Sequence, residues 1–300
     1  MKKERLLLNL QMFAETNVTT SADIAPAISI DHVSRLSTNI KKLMEVLGIT
    51  EMTPMNEGTN IKIYKFEQTN TPEQVAEGET IALTKIKRVL ARTVEITLEK
   101  FRRNTTAEAI QKSGKDIAIN QTDEKLVGSV QKGIKRGFYD ILGTGTGTAS
   151  GTNLQSALAA AWGALQKVYE DEDVTPIHFV SSDDLAEYLG NATVTMQQAF
   201  GLSYIQDFLG LGTVVVSPSL PKGKTIATAK ENLNGAYVPA NTGDLAKAFG
   251  LTSDASGLVG MGHYVVSGNA TIDTLVMAGV VFYPELLDGV IVSTISTTGA

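Results

Sequence analysis

The chain has 300 residues, 43% of them apolar and 19% charged, with a net charge of −6, enough for one large or two modest domains with a substantial core. It contains no cysteine, which excludes disulfides, thiolate metal sites and cysteine nucleophiles. No uninterrupted apolar run is long enough to span a bilayer.

The start, Met-Lys-Lys-Glu-Arg followed by Leu6 to Phe13, imitates a signal peptide. Asn9 and Gln11 break its apolar centre and Glu15 is a poor flank after Ala14, so export is not expected. Residues 1–30 lack a core-forming period and read as an arm. Within it, Leu8, Leu10 and Met12 share one side of an extended peptide. Asp31 is a candidate cap for a helix carrying Val33, Leu36, Ile40, Leu43 or Met44, and Leu47, closed by Gly48. Gly58 to Phe66 alternates as a strand, and Val94, Ile96 and Leu98 alternate as another. The stretch between, Gln68 to Thr84, is polar and acidic, with Val75, Ile81 and Leu83 its only sizeable apolar groups. A loop of this length is functional or disordered. As an extended hairpin it would project roughly 26 Å and need a second surface to hold it, most simply another copy of the chain.

Thr105-Thr-Ala-Glu108 is a capping-box signature for a short helix towards Lys112. Ile119, Thr122, Leu126, Val130, Ile134, Phe138 and Ile141 then form one stripe on a long helix ending at Leu142 and starting at either 115 or 121. Such a rod is roughly 33–42 Å long. Gly128, Gly133 and Gly137 interrupt its other face, so it needs tertiary packing. Gly143 stands where a left-handed cap belongs, and Gly143, Gly145, Gly147 and Gly151, spaced by Thr, Ala and Ser, read as a hinge. Beyond it, Leu154, Leu158, Trp162, Leu165 and Tyr169 mark an amphipathic helix. Strands are expected at Ile177–Val180, Gly212–Ser217, Ala236–Val238, Tyr264–Val266, Val280–Tyr283 and Gly289–Ile295, with a helix opening at Ser182. Helices and strands mix without regular alternation, which indicates α+β.

A search for chemistry returns little. Gly143-Thr-Gly145-Thr-Gly147 leaves a helix where a dinucleotide fingerprint must leave a strand, and Thr148 holds the third glycine's place. Gly223-Lys224-Thr225 ends like a phosphate loop, but Pro218 replaces its first glycine, and Pro221-Lys-Gly reads better as a turn. His32, His178 and His263 lack metal-ligand spacing. No catalytic residue, metal ligand or cofactor site is assigned. An enzymatic site around His178, Asp183 and Asp184 is kept as the less favoured alternative. Charge is uneven: residues 85–136 carry 13 Lys/Arg against 6 Asp/Glu, and 151–300 carry 5 against 14. Solvated faces that pair with each other and a polyanion-facing side both fit this distribution.

The order of parts is similar to the major capsid proteins of tailed bacteriophages, built on the Hong Kong 97 (Johnson) fold. The residues carrying the resemblance are Glu77 to Thr84, Val94 to Phe101, Thr122 to Leu126, Asp140 to Gly145 and Val280 to Val290. It implies an N-terminal arm with a short helix (1–54), an E-loop hairpin with flanking strands (55–104), a peripheral domain with spine helix and hinge (105–150), an axial domain (151–255) and returning peripheral strands (256–300). Pro72, Glu73, Val75, Glu77, Gly78, Glu79, Ile81 and Leu83 would make the intersubunit contact of the E-loop. The implied partners are further copies in pentamers and hexamers, a separate scaffolding protein, a portal and packaged DNA, and the implied location is a virion capsid assembled in the host cytoplasm. The loop holds no lysine, so the covalent cross-link of the founding members is not expected. Leu8-Asn-Leu-Gln-Met-Phe-Ala14 also resembles leaders on a ribosomal protein and on phage capsid and scaffold proteins, which a host cysteine protease cuts after the alanine. The equivalent cut falls between Ala14 and Glu15. An encapsulin-type compartment shell and a virion ring or tube protein are the alternatives.

Overall fold

A computed structural model describes residues 21–69, 83, 85–170, 172–190, 196–199, 202–241, 243–253 and 255–296. The first half runs α1 (Ser21–Leu47), β1 (Met52–Pro54), β2 (Asn60–Thr69), β3 (Lys85–Glu95), β4 (Glu99–Thr106), α2 (Ala107–Ser113) and α3 (Lys115–Leu142). The chain continues through β5 (Gly147–Gly151), α4 (Leu154–Val168), β6 (Pro176–Ser181), α5 (Ser182–Leu189), β7 (Gln197–Ala199), β8 (Leu202–Ile205) and β9 (Thr213–Ser217). It ends with β10 (Lys224–Ala229), β11 (Leu233–Val238), α6 (Gly243–Ala248), β12 (Thr252–Ser253), β13 (Val259–Val266), β14 (Thr271–Pro284) and β15 (Val290–Ile295). Helices and strands are mixed, as the α+β reading requires.

Two sheets organise these elements. In the first, the order is β1-β11-β14-β13-β12, with β4 also paired to β14. The long strand β14 is shared along its length: Thr271 to Ala278 pair with β4 and β13, and Gly279 to Pro284 pair with β11. The second sheet has seven strands in the order β5-β15-β10-β6-β9-β8-β7. Strands β2 and β3 form a separate two-stranded ribbon.

One apolar core joins the sheets. On α1, Val33, Leu36, Ile40, Leu43 and Leu47 recur at helical spacing and are all buried. On α3, Val130, Ile134, Phe138 and Leu142 do the same. The Phe138 ring meets Phe179 of β6 edge-on at 5.5 Å and Phe282 of β14 at 6.0 Å, so one side chain touches both sheets. Edge-to-face pairs at such distances add stabilisation beyond area burial.

Several expectations need correction. The first helix already includes Ser21, ten residues before Asp31, so part of the expected arm is helical. Thr106, one residue after Thr105, caps α2, its hydroxyl accepting from the Ala109 N–H. Gly143 is right-handed (φ −62°), its N–H bonded to the Tyr139 carbonyl at 2.8 Å, so no left-handed cap forms. The Val94–Leu98 strand is broken: β3 ends at Glu95, and Ile96 and Leu98 are buried in the connection to β4. Gly147 to Gly151, part of the expected hinge, is strand β5, paired in parallel with Ile291 to Ile295. Here the glycines serve close approach. A Cβ on Gly145 would overlap the Val290 carbonyl, one on Gly147 the Ile291 side chain, and one on Gly151 the backbone of Ala157. Strands from residues 151–255 and from 256–300 occur in both sheets. Strands β11 and β12 pair in the sheet of β4, whereas β15 pairs with β10 in the other.

Candidate intersubunit surface

The ribbon is the described part of the expected E-loop. Its pairing runs from Asn60 opposite Glu95 to Thr69 opposite Lys85, with a bulge between Ile63 and Tyr64. The paired stem thus extends below the Gln68 at which the sequence marks the polar stretch. Opposed residues share a face, and successive residues along a strand point to opposite faces. Beyond the bulge, Tyr64 and Phe66 therefore lie with Leu90, Arg88 and Ile86, while Lys65 and Glu67 lie with Val89 and Lys87. The first face is largely apolar and unprotected: Phe66 is 50% exposed, Leu90 48% and Ile86 66%. Leu83, towards the tip, is 91% exposed. The other face is charged, with Lys65 and Glu67 paired at 2.9 Å.

The root of the ribbon is anchored firmly. Ile63 is buried in a cluster with Ile141 of α3 and Leu287. The outer edge of β2 bonds to the turn between β14 and β15: the Tyr64 N–H donates to the Glu285 carbonyl at 3.2 Å, the Leu287 N–H to the Tyr64 carbonyl at 3.0 Å, and the Phe66 N–H to Asp288 Oδ2 at 2.7 Å. From β3, Arg92 donates to Thr144 Oγ1 at 2.9 Å and to the Asp140 carbonyl at 3.4 Å. The Arg88 guanidinium sits 4.0 Å above the Tyr64 ring and 3.3 Å from Glu285. A two-stranded ribbon is marginal alone. This one has a fixed root and an outer part with an apolar face that the subunit leaves uncovered.

The other singled-out residues are dispersed. Arg88, Arg92 and Arg102 of the basic segment have partners within the chain, Arg102 bonding Asp273 at 3.0 Å through Nε. The Asn104 amide and the Arg102 guanidinium hold Asp273 below the usual carboxylate range. The three alternative enzymatic residues do not converge. His178 is fully buried in β6, and its Nε2 donates to the Leu211 carbonyl at 3.1 Å. Burial pushes its pKa down to about 4. Asp184 instead receives the Gly223 N–H at 2.9 Å and lines a cleft with Glu187, Tyr188 and Lys222. His178 is not in that cleft, and burial raises the Asp184 pKa. No cluster of three or more potential metal ligands occurs among the described residues. No helix among them is long and apolar enough to cross a membrane. Ala14, Glu15, Pro72, Glu73, Val75, Glu77, Gly78, Glu79 and Ile81 lie outside the described residues.

Sequence reasoning missed Asp123. Its carboxylate is fully buried 2.7 Å from Nε2 of His263 on β13. An acid at a spacing of four from Ile119 and seven from Val130 was the available signal.

No protein-family model matches the sequence, and no similar curated protein was found. Solved structures do match in fold. A virus-like particle from Pyrococcus furiosus aligns with a TM-score of 0.51 at 16% identity over 88% of this chain and 97% of that one. The holo-SrpI encapsulin complex from Synechococcus elongatus gives 0.53 at 11% identity over 83% and 86%. The Phage G assembly of major capsid and decoration proteins gives 0.51 at 12% over 82% and 88%. The architecture is therefore that of a class of shell proteins, phage capsids and encapsulins. Its name is the Hong Kong 97 fold, and this chain has it along most of its length.

Proposed function

We propose that the chain is the major capsid protein of a tailed bacteriophage, a structural subunit that assembles into the icosahedral shell around the DNA genome. The observation that carries this reading is the ribbon. It is rooted on α3 and the β14–β15 turn, yet it leaves Phe66, Ile86 and Leu90 in solvent. A neighbour covering that face in a closed ring supplies the missing burial through a heterologous contact. In this reading the ribbon crosses the neighbour's spine region. Gly143 to Gly151 then carry whatever adjustment accompanies shell expansion, within the limits that the β5 pairing sets. A scaffolding protein and a portal take part in assembly, and exposed basic groups such as Lys85, Lys87 and Lys100 are available to scaffold or DNA. A host cysteine protease trims the chain between Ala14 and Glu15.

Deleting Thr71 to Thr80 should leave a folded subunit that no longer assembles. Shells of normal diameter from that deletion, seen by electron microscopy, would refute the ribbon's role. The encapsulin reading is favoured by one observation, a fold similarity to the Synechococcus encapsulin complex of the same order as that to the Phage G capsid. Protein cargo in place of nucleic acid inside purified shells would select it.

A further inference from the structure

Asp123 is the acid on the buried face of α3, and His263 of β13 meets it. Across the sheet His263 stands opposite Thr274 of β14, which stands opposite Arg103 of β4. Residues opposed on neighbouring strands share a face, so all three lie on the side that α3 covers. Glu99 is two pleats along β4 on that side, its carboxylate against Gly133 of α3. Asp123 Oδ1, Thr274 Oγ1 and Arg103 Nη1 are buried and find no hydrogen-bond partner among the described residues. Burying an acid and an imidazole in so incompletely bonded a site is a poor source of stability, because desolvation offsets their attraction and apolar replacements are often neutral or better. The pair does have a direction and a single geometry.

We infer that Asp123 and His263 pin the register of α3 on the sheet, and thereby set the aim of the ribbon. The apolar spacing along α3 by itself discriminates weakly between registers. Ile119, Val130 and Ile134 recur near the helical period, so a slide of one turn exchanges one apolar side chain for another. Gly128 and Gly137 have open space where a side chain would begin, and Gly133, against the Glu99 carboxylate, is the one of the three that resists a larger residue. Asp123 adds the polar penalty, since a slide leaves it buried away from its imidazole. Every register but one is thus penalised. At the other end of α3, Ile141 packs on Ile63 while Asp140 and Thr144 accept from Arg92, so the root of the ribbon follows the helix. Asp123 and His263 are positioning residues. Their effect on shell geometry rests on the shell reading above, whereas their effect on register does not.

The chain has no cysteine, so Ser129→Cys on α3 and Lys100→Cys on β4, both exposed, accept spin labels uniquely. Double electron–electron resonance on the dissociated subunit should give one narrow distance for the parent. In Asp123→Leu/His263→Leu the subunit should remain folded but show a second population displaced by about 5 Å, one helical turn. Its particles should vary in diameter under the electron microscope where those of the parent are uniform. An unchanged single distance would overturn the pin. Failure of the double variant to fold would also overturn it, because the pair would then be holding the subunit together. A shifted distance with uniform, parental shells would overturn the link from the pin to the ribbon. Absence of shells from the parent itself would count against the shell reading, leaving the distance to judge the pin.

Discussion

His178 shows what burial does to one titratable side chain. The imidazole lies among strands, its Nε2–H donates to Leu211 O, and its Nδ1 has no hydrogen-bond partner among the described residues. A folded value of about 4 against an ordinary 6.5 means that protonation favours the unfolded chain. Stability should therefore be flat above neutrality and fall as pH drops from about 6.5 towards 4. From pH 7 to pH 5 this group alone should remove about 2 kcal/mol. The measurement is urea unfolding of the subunit at both pH values beside His178→Gln, whose amide can still donate to Leu211. The parent should lose that much more than the variant, and equal losses would contradict a neutral, buried histidine. The sequence marks His178 only as a histidine without ligand spacing. Its burial follows from β6 lying between β9 and β10, a pairing between distant segments that no local pattern reveals.

At the scale of elements, strong periodicity was legible and composition misled. The bounds of α3 agree with its earlier possible start at 115 and its end at 142, because its stripe is long and Gly143 follows directly. The register of the stripe was less clear, since Asp123 occupies a core position that an apolar residue would have announced. The Gly/Thr run reads as loop because glycine usually marks flexibility. Here three of those glycines let β5 lie against β15 and α4, a packing requirement invisible without the partner strands. Strand β10 was missed because its start, Gly223-Lys224-Thr225, invited comparison with a phosphate loop. The ribbon was legible as a stretch unable to bury itself, but its two faces appear only with the register. Replacing Phe66, Ile86 and Leu90 together by Ser should change subunit stability little, within about 0.5 kcal/mol for each exposed site. Assembly should be lost. The contrast is read by denaturant midpoints against light scattering, and normal scattering from the triple variant would show that this face is not an interface.

For the whole molecule, the shared core changes how movement must be pictured. Phe138 contacts both Phe179 and Phe282, and α1 and α3 contribute to the same cluster, so the two sheets are cemented by apolar contact as well as joined by the Gly-rich connection. Close-packed interiors do not deform continuously. The chain is built to behave as one body carrying a ribbon rooted at its edge, and in the proposed shell that ribbon would complete its burial against neighbours. The most direct test is cryo-electron microscopy of particles from cells making this chain with and without the scaffolding protein proposed above. Closed shells should appear, with Phe66, Ile86 and Leu90 of each copy buried against the next. A monomer under both conditions, with that ribbon face still in water, would contradict the account.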